Sequence, residues 1–89
     1  MQYRYAMLVI EKRPNGETTT SEDIMVSHQT TMHAADREVH DGVLKMFDVE
    51  LSPVNVDSKF EGFWKGNGKT EHREVTVWLT RLKQMIRIG

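Results

Sequence analysis

A run of strand-forming residues that ends at a turn constrains the fold more than any other feature of the sequence. Residues 3–10 read YRYAMLVI, a density of aromatic and branched apolar side chains typical of a strand in the centre of a sheet. Arg-Pro-Asn-Gly follows at 13–16, where proline presets φ early in a turn and glycine accepts a positive φ at its end. Residues 17–26 pass from a polar Thr-Thr-Thr-Ser stretch to Ile-Met-Val, as a returning strand would. The sequence therefore predicts a β-hairpin at its start.

The hydrophobic period changes near residue 31, which predicts a helix over about 32–47. Apolar residues then recur every three or four positions, at Met32, Ala35, Val39, Val43 and Met46 or Phe47. Thr30 or Thr31 can cap the start of the helix, and Lys45 lies near its end, where the helix dipole favours a cation. Gly42 weakens a helix interior by about 1 kcal/mol relative to alanine. It therefore indicates either a close backbone approach or a break.

The second half of the chain gives more ambiguous signals. Residues 49–56 look extended, but Pro53 cannot donate to a sheet ladder, so an edge strand or an interrupted strand is expected. Residues 60–65 predict another strand, closing on a Gly-Asn-Gly turn at 66–68. A helical stripe comes last, at Val75, Trp78, Leu79, Leu82, Met85 and Ile86. Residues 74–79 also alternate as a strand would, so a strand that opens into a short helix is an alternative. Six matches to the helical spacing nevertheless favour a terminal helix that Thr70 could cap.

These elements predict the order β-β-α-β-β-α. The fold class is then α+β, with an antiparallel sheet of about four strands and two helices on one face. The sequence has 89 residues, so we expect one small domain spanning 1–89.

The composition limits which cellular compartment and which kinds of chemical site are expected for this protein. The sequence has no cysteine, which excludes disulfides, thiol catalysis and cysteine-based zinc sites. The first apolar run is short and ends at Glu-Lys-Arg, unlike a signal peptide, and no stretch approaches the ~20 apolar residues of a membrane span. We therefore expect a soluble cytoplasmic protein with no membrane partner.

Histidines supply the one constellation that could support catalysis. On the predicted helix, His33, Asp36 and His40 lie on one exposed side, and a hydrolase or nuclease using them is an alternative. Two helical turns separate the histidines by about 10 Å, however, too far to chelate one ion. A solvated polar surface explains the three residues better, and no phosphate-binding or nucleophile motif occurs in the sequence. We expect no enzyme, no cofactor and no metal.

Aromatic and basic residues alternate in the segment KFEGFWKGNGK at 59–69. In a strand, Phe60 and Trp64 would share one face and Phe63 the other. Phe60 and Trp64 are expected to join Trp78 in the core, and the alternatives are that the aromatic residues contact a protein partner or stack on nucleic-acid bases. Charge is also uneven, with six Lys/Arg against eleven Asp/Glu in residues 1–64 and six against two in residues 65–89. The basic C-terminal third could therefore form an electropositive surface, or simply pair with the acidic remainder.

The function favoured by these observations is a small non-enzymatic binding or regulatory module that occupies a surface of a larger protein. Inhibitors and adaptors of this size include those encoded by phages and mobile elements. The alternative is nucleic-acid binding, with rings stacking on bases and cations contacting phosphates. A small core also makes a homodimer plausible. The expected partner-binding residues are Phe63, Trp64, Lys65, Lys69, Arg73, Arg81, Lys83 and Arg87.

Overall fold

A computed structural model describes residues 2–54 and 62–82. In chain order the elements are β1 (Tyr3–Lys12), β2 (Thr18–Ser27), α1 (Met32–Phe47), β3 (Ser52–Pro53), β4 (Phe63–Lys69) and β5 (Glu74–Arg81). The strands form one antiparallel sheet in the order β2-β1-β5-β4-β3. The α+β class is therefore confirmed, with β1 and β5 in the middle of the sheet.

The predicted hairpin and central helix are both present. The turn between β1 and β2 has Gly16 at φ 88°, the conformation for which glycine is suited. Helix α1 begins after Thr31, whose side chain accepts a hydrogen bond from the backbone N–H of Ala34 at 3.2 Å. It ends at Asp48, which adopts φ 56° and donates its backbone N–H to Leu44.

The core lies between α1 and one face of the sheet. Alternate residues of β1 and β5 point toward the helix, and the helix contributes a buried stripe of small apolar side chains. The buried apolar residues are Tyr5, Met7, Val9, Ala35, Val39, Val43, Val49, Trp64, Val75, Val77 and Leu79. Among the described residues, one helix thus covers one face of the sheet.

The strand count and the first part of the terminal helix, over residues 74–81, were predicted wrongly. Within the described residues the sheet has five strands, and the segment expected to start a second helix is strand β5. Residues 74–81 pair with β1 on one side and β4 on the other, and this pairing outweighs the local helical spacing. Met85 and Ile86, which belonged to the predicted stripe, lie outside the described residues.

The predicted turn at 66–68 was also wrong, because β4 runs through it. Gly66 and Gly68 both face the helix side, where the chain leaving α1 crosses them. A Cβ on Gly66 would lie 2.5 Å from the carbonyl oxygen of Glu50 and would collide with Val49. Gly66 therefore permits a close approach of two backbones.

Gly42 and Pro53 have simpler outcomes. Helix α1 continues through Gly42, and a Cβ there would meet Met25 at an ordinary 3.6 Å, so neither a break nor a close backbone approach explains this glycine. Pro53 lies in β3, at the edge of the sheet as expected.

No helix within residues 2–54 and 62–82 has the length and apolar character needed to cross a membrane.

Candidate functional site

The face of the sheet opposite α1, which we call the open face, is apolar at its centre. Strand register sets its side chains in rows that cross four strands from β2 to β4. The central row is Glu22, Leu8, Trp78 and Lys65. The adjacent row toward the start of β1 is Ile24, Ala6, Thr80 and Phe63. No described residue covers these rows as α1 covers the other face.

A groove of about 710 Å³ lies on the open face. Its lining includes Leu8, Ile24, Phe63 and Trp78. The rings of Phe63 and Trp78 meet edge to face with centroids 5.6 Å apart, an arrangement that favours one fixed orientation for both. Ile24 is 48% exposed, far more than a strand residue that contributes to a core. The groove therefore has two packed aromatic rings on one side and is open to solvent on its β2 side.

Opposite charges flank the apolar centre. Glu22 lies on β2 and Lys65 on β4, each one strand away from the central pair Leu8 and Trp78. The Nζ atom of Lys65 lies 4.6 Å from the centroid of the Trp78 ring, a cation–π contact. The central row is thus negative at one end, apolar in the middle and positive at the other end.

A second polar cluster lies between α1 and the sheet. The carboxylate of Asp36 accepts hydrogen bonds from Arg81 at 3.0 and 2.6 Å and from the Tyr5 hydroxyl at 2.5 Å. The Arg81 guanidinium also lies 5.4 Å from the centroid of Trp64, whose ring meets His40 edge-on at 4.5 Å. Because Asp36 is on the helix and its partners are on β1 and β5, the cluster fixes the helix to the sheet.

Burial and pairing shift the pKa values of this cluster. Burial, with a smaller effect of Asp36, raises the pKa of the Tyr5 hydroxyl well above its usual range. The hydrogen bonds to Asp36 raise the pKa of Arg81 further. Burial lowers the pKa of His40 below 6.5, which keeps the imidazole neutral near neutral pH. Near neutral pH, Arg81 is therefore protonated, and Tyr5 and His40 are neutral.

The histidine constellation lines a shallow cavity of about 410 Å³ beside this cluster. His33, Asp36 and His40 all contribute to it, but both oxygens of Asp36 already bind Arg81 or Tyr5. The His40 Nε2 atom is buried without a hydrogen-bond partner. Among the described residues, no group of His, Asp and Glu side chains is arranged to hold a metal ion. The geometry therefore gives Asp36 a structural role.

The structure separates the residues expected to bind a partner. Phe63 and Lys65 lie on the open face, whereas Trp64 points to the helix side and is 8% exposed. Arg81 is paired with Asp36. Lys69 and Arg73 flank the turn between β4 and β5, and Arg73 forms an ion pair with Glu11 at 3.0 Å. Lys83 and Arg87 lie outside the described residues.

Sequence reasoning missed the open-face contributions of Leu8, Ile24 and Trp78. Trp78 was expected in the core with Trp64, but the two rings lie on opposite faces of the sheet. The alternation of residues 74–79 was the signal that could have found it, because a strand there sends Trp78 away from Val77 and Leu79.

Comparisons with known proteins give no family for this chain. No model of a known protein family matches it, and neither a curated protein nor a solved structure resembles it significantly. Function has to be argued from the open face itself.

Proposed function

We propose that this chain is a small non-enzymatic binding module that covers a surface on a larger protein, as an inhibitor or an adaptor does. The observation that supports the proposal is the apolar centre of the open face. Antiparallel sheets with one covered face normally direct polar side chains to the other. Here Leu8, Ile24, Phe63 and Trp78 occupy that second face, and exposed apolar patches with polar rims are typical of protein-binding surfaces.

The charges on the open face specify the chemistry of the partner. A complementary surface presents an apolar ridge to the groove, a cation opposite Glu22 and a carboxylate opposite Lys65. Trp78 and Phe63 provide the wide, rigid apolar contact area that dominates many protein interfaces. The mechanism is then steric, because the bound module blocks whatever else uses that surface of the partner.

Nucleic-acid binding is the second candidate, and one observation favours it. Phe63 and Trp78 form a half-buried pair of rings beside the exposed Lys65, an arrangement that could stack bases and contact a phosphate. Glu22 in the same row opposes a polyanion, however, and Arg73 and Arg81 already have carboxylate partners. A protein partner is therefore the better fit.

Site-specific photo-crosslinking tests the proposal in cells that produce this protein. A photoreactive residue at Thr80 samples the open face, and one at the exposed Arg37 of α1 is the matched control. We expect a defined protein to be crosslinked from Thr80 only, and the same protein, once purified, to form a stoichiometric complex with this chain. A negative heat-capacity change on binding would accompany burial of the apolar face.

Two results would contradict the proposal. Equal crosslinking from Thr80 and Arg37, or no complex after reconstitution, would mean that the open face does not select a protein. Recovery of nucleic acid alone, with affinity that falls steeply as salt rises, would favour the second candidate.

A further inference from the structure

The charges of Glu22 and Lys65 are placed symmetrically about the boundary between β1 and β5. The central row crosses four neighbouring strands, with Leu8 and Trp78 in the middle and Glu22 and Lys65 at the two ends. Neighbouring strands are about 4.8 Å apart, so the backbones of Glu22 and Lys65 are separated by roughly 14 Å, too far for a direct pair within one chain. Glu22 and Lys65 therefore do not pair with each other, and among the described residues neither forms an ion pair with another side chain.

A second copy of this chain meets the requirements stated above for the partner. A two-fold axis parallel to the strands, between β1 and β5, brings two open faces together and exchanges β1 with β5 and β2 with β4. Glu22 then faces Lys65 of the second copy, and Leu8 faces Trp78 of the second copy. In the adjacent row Ile24 faces Phe63 of the second copy. Both charges and both apolar halves are thus matched.

The other face-to-face arrangement is repulsive. A two-fold axis that runs across the strands along the central row, between the two faces, places each residue of this row opposite itself, so Glu22 meets Glu22 and Lys65 meets Lys65. Like charges brought together at an interface oppose association. Of these two aligned arrangements, the charges of the open face favour the one with the axis parallel to the strands.

We infer that this protein forms a reversible homodimer through the open face, with the two-fold axis parallel to its strands. The inference rests on the proposed function, because the dimer hides the same face that would bind the larger protein. Four strands of about eight residues cover on the order of 500 Å² per copy, below the roughly 800 Å² per partner of a standard stable interface. Association therefore regulates the binding face by concentration, with the monomer as the binding form.

A charge exchange tests the geometry on the full chain by sedimentation equilibrium over a range of concentrations. We expect Glu22→Lys and Lys65→Glu each to weaken dimerisation at least tenfold, because each creates two like-charge contacts per dimer. The double variant restores opposite charges at both contacts and should return to within a few fold of the wild type. Asp41→Lys, which makes the same charge change as Glu22→Lys on the exposed surface of α1, should leave dimerisation unchanged.

Three results would overturn the inference, and they separate it from the proposed function. If the wild type dimerises but the double variant does not regain dimerisation, the dimer has a different geometry. A monomer at all concentrations that still binds the crosslinked protein through the open face leaves the proposed function standing alone. A monomer in which Trp78 is shielded from acrylamide, judged against Trp78→Phe, would mean that the rest of the chain covers the face, and would overturn both.

Discussion

Removing the Asp36 carboxylate should be among the most damaging single changes to this fold. Asp36 accepts three hydrogen bonds from Arg81 and Tyr5, and the side chains of Asp36 and Arg81 are only 17% and 16% exposed. In Asp36→Asn, the Arg81 guanidinium keeps its position but loses its anionic partner. The new side-chain NH2 group also faces a hydrogen-bond donor, either Arg81 or Tyr5, where Asp36 had an acceptor oxygen. Breaking a buried ion pair from one side costs about 3–5 kcal/mol, and we expect about 3 kcal/mol because some solvent reaches this one.

Urea denaturation at pH 7 measures this loss. For a domain of this size each kcal/mol lowers the melting temperature by about 4–8 °C, so a fall of at least roughly 12 °C should accompany the lower midpoint. The dependence on urea should keep its slope, because the same surface is exposed on unfolding. Asp41→Asn, an exposed position on the same helix, should stay within about 0.5 kcal/mol of the wild type. A loss below about 1 kcal/mol for Asp36→Asn would refute the argument that this cluster fixes the helix to the sheet.

Three further predictions concern the described fold. Gly42→Ala should stabilise the protein by about 1 kcal/mol, because it replaces a glycine inside a helix at a position where a Cβ has room. Gly66→Ala should destabilise the protein by about 2–3 kcal/mol, because its Cβ would collide with the backbone of Glu50. Thermal denaturation of both variants checks the pair, and equal effects would contradict the assigned close approach. Thr31→Ala should cost about 1 kcal/mol through loss of the helix cap, and Thr31→Ser should retain most of the stability in the same measurement. Burial lowers the pKa of His40 in the folded state, so the unfolded state binds a proton at this imidazole more readily. The free energy of unfolding should therefore be highest above pH 6.5 and should fall as the pH drops through 6.5 toward the pKa of His40 in the folded state. Between pH 7.5 and 5.5, the free energy of unfolding should decrease less in His40→Gln than in the wild type. An equal decrease in both proteins would contradict the assignment of this pH dependence to His40.

The first half of the fold was predictable because its signals are local. The turn at 13–16 lies between its two strands, and the cap at Thr31 lies directly before its helix. These signals require no knowledge of the remaining chain. The structure accordingly places β1, β2 and α1 within two residues of the predicted bounds.

The second half failed where contacts are distant in sequence. Gly66 indicated a turn, but the reason for the glycine is the backbone of Glu50, which crosses it from another part of the chain. Strand β5 matched the helical spacing because one apolar residue, Trp78, lies on the open face between Val77 and Leu79, which face α1. An apolar residue on the solvent face breaks the alternation that identifies a strand. The feature that supports the proposed binding face is therefore the same feature that misled the sequence analysis.

Substitution of Ile24 tests the central claim, that the open face serves binding rather than folding, most directly. Ile24→Lys and Met46→Lys change two similarly exposed apolar residues, 48% and 51%, on the open face and on α1. We expect Ile24→Lys to weaken the reconstituted complex at least tenfold while the free energy of unfolding stays within about 1 kcal/mol of the wild type, and Met46→Lys to leave the complex unchanged. Equal affinities for the two variants, or unfolding of Ile24→Lys, would contradict the claim.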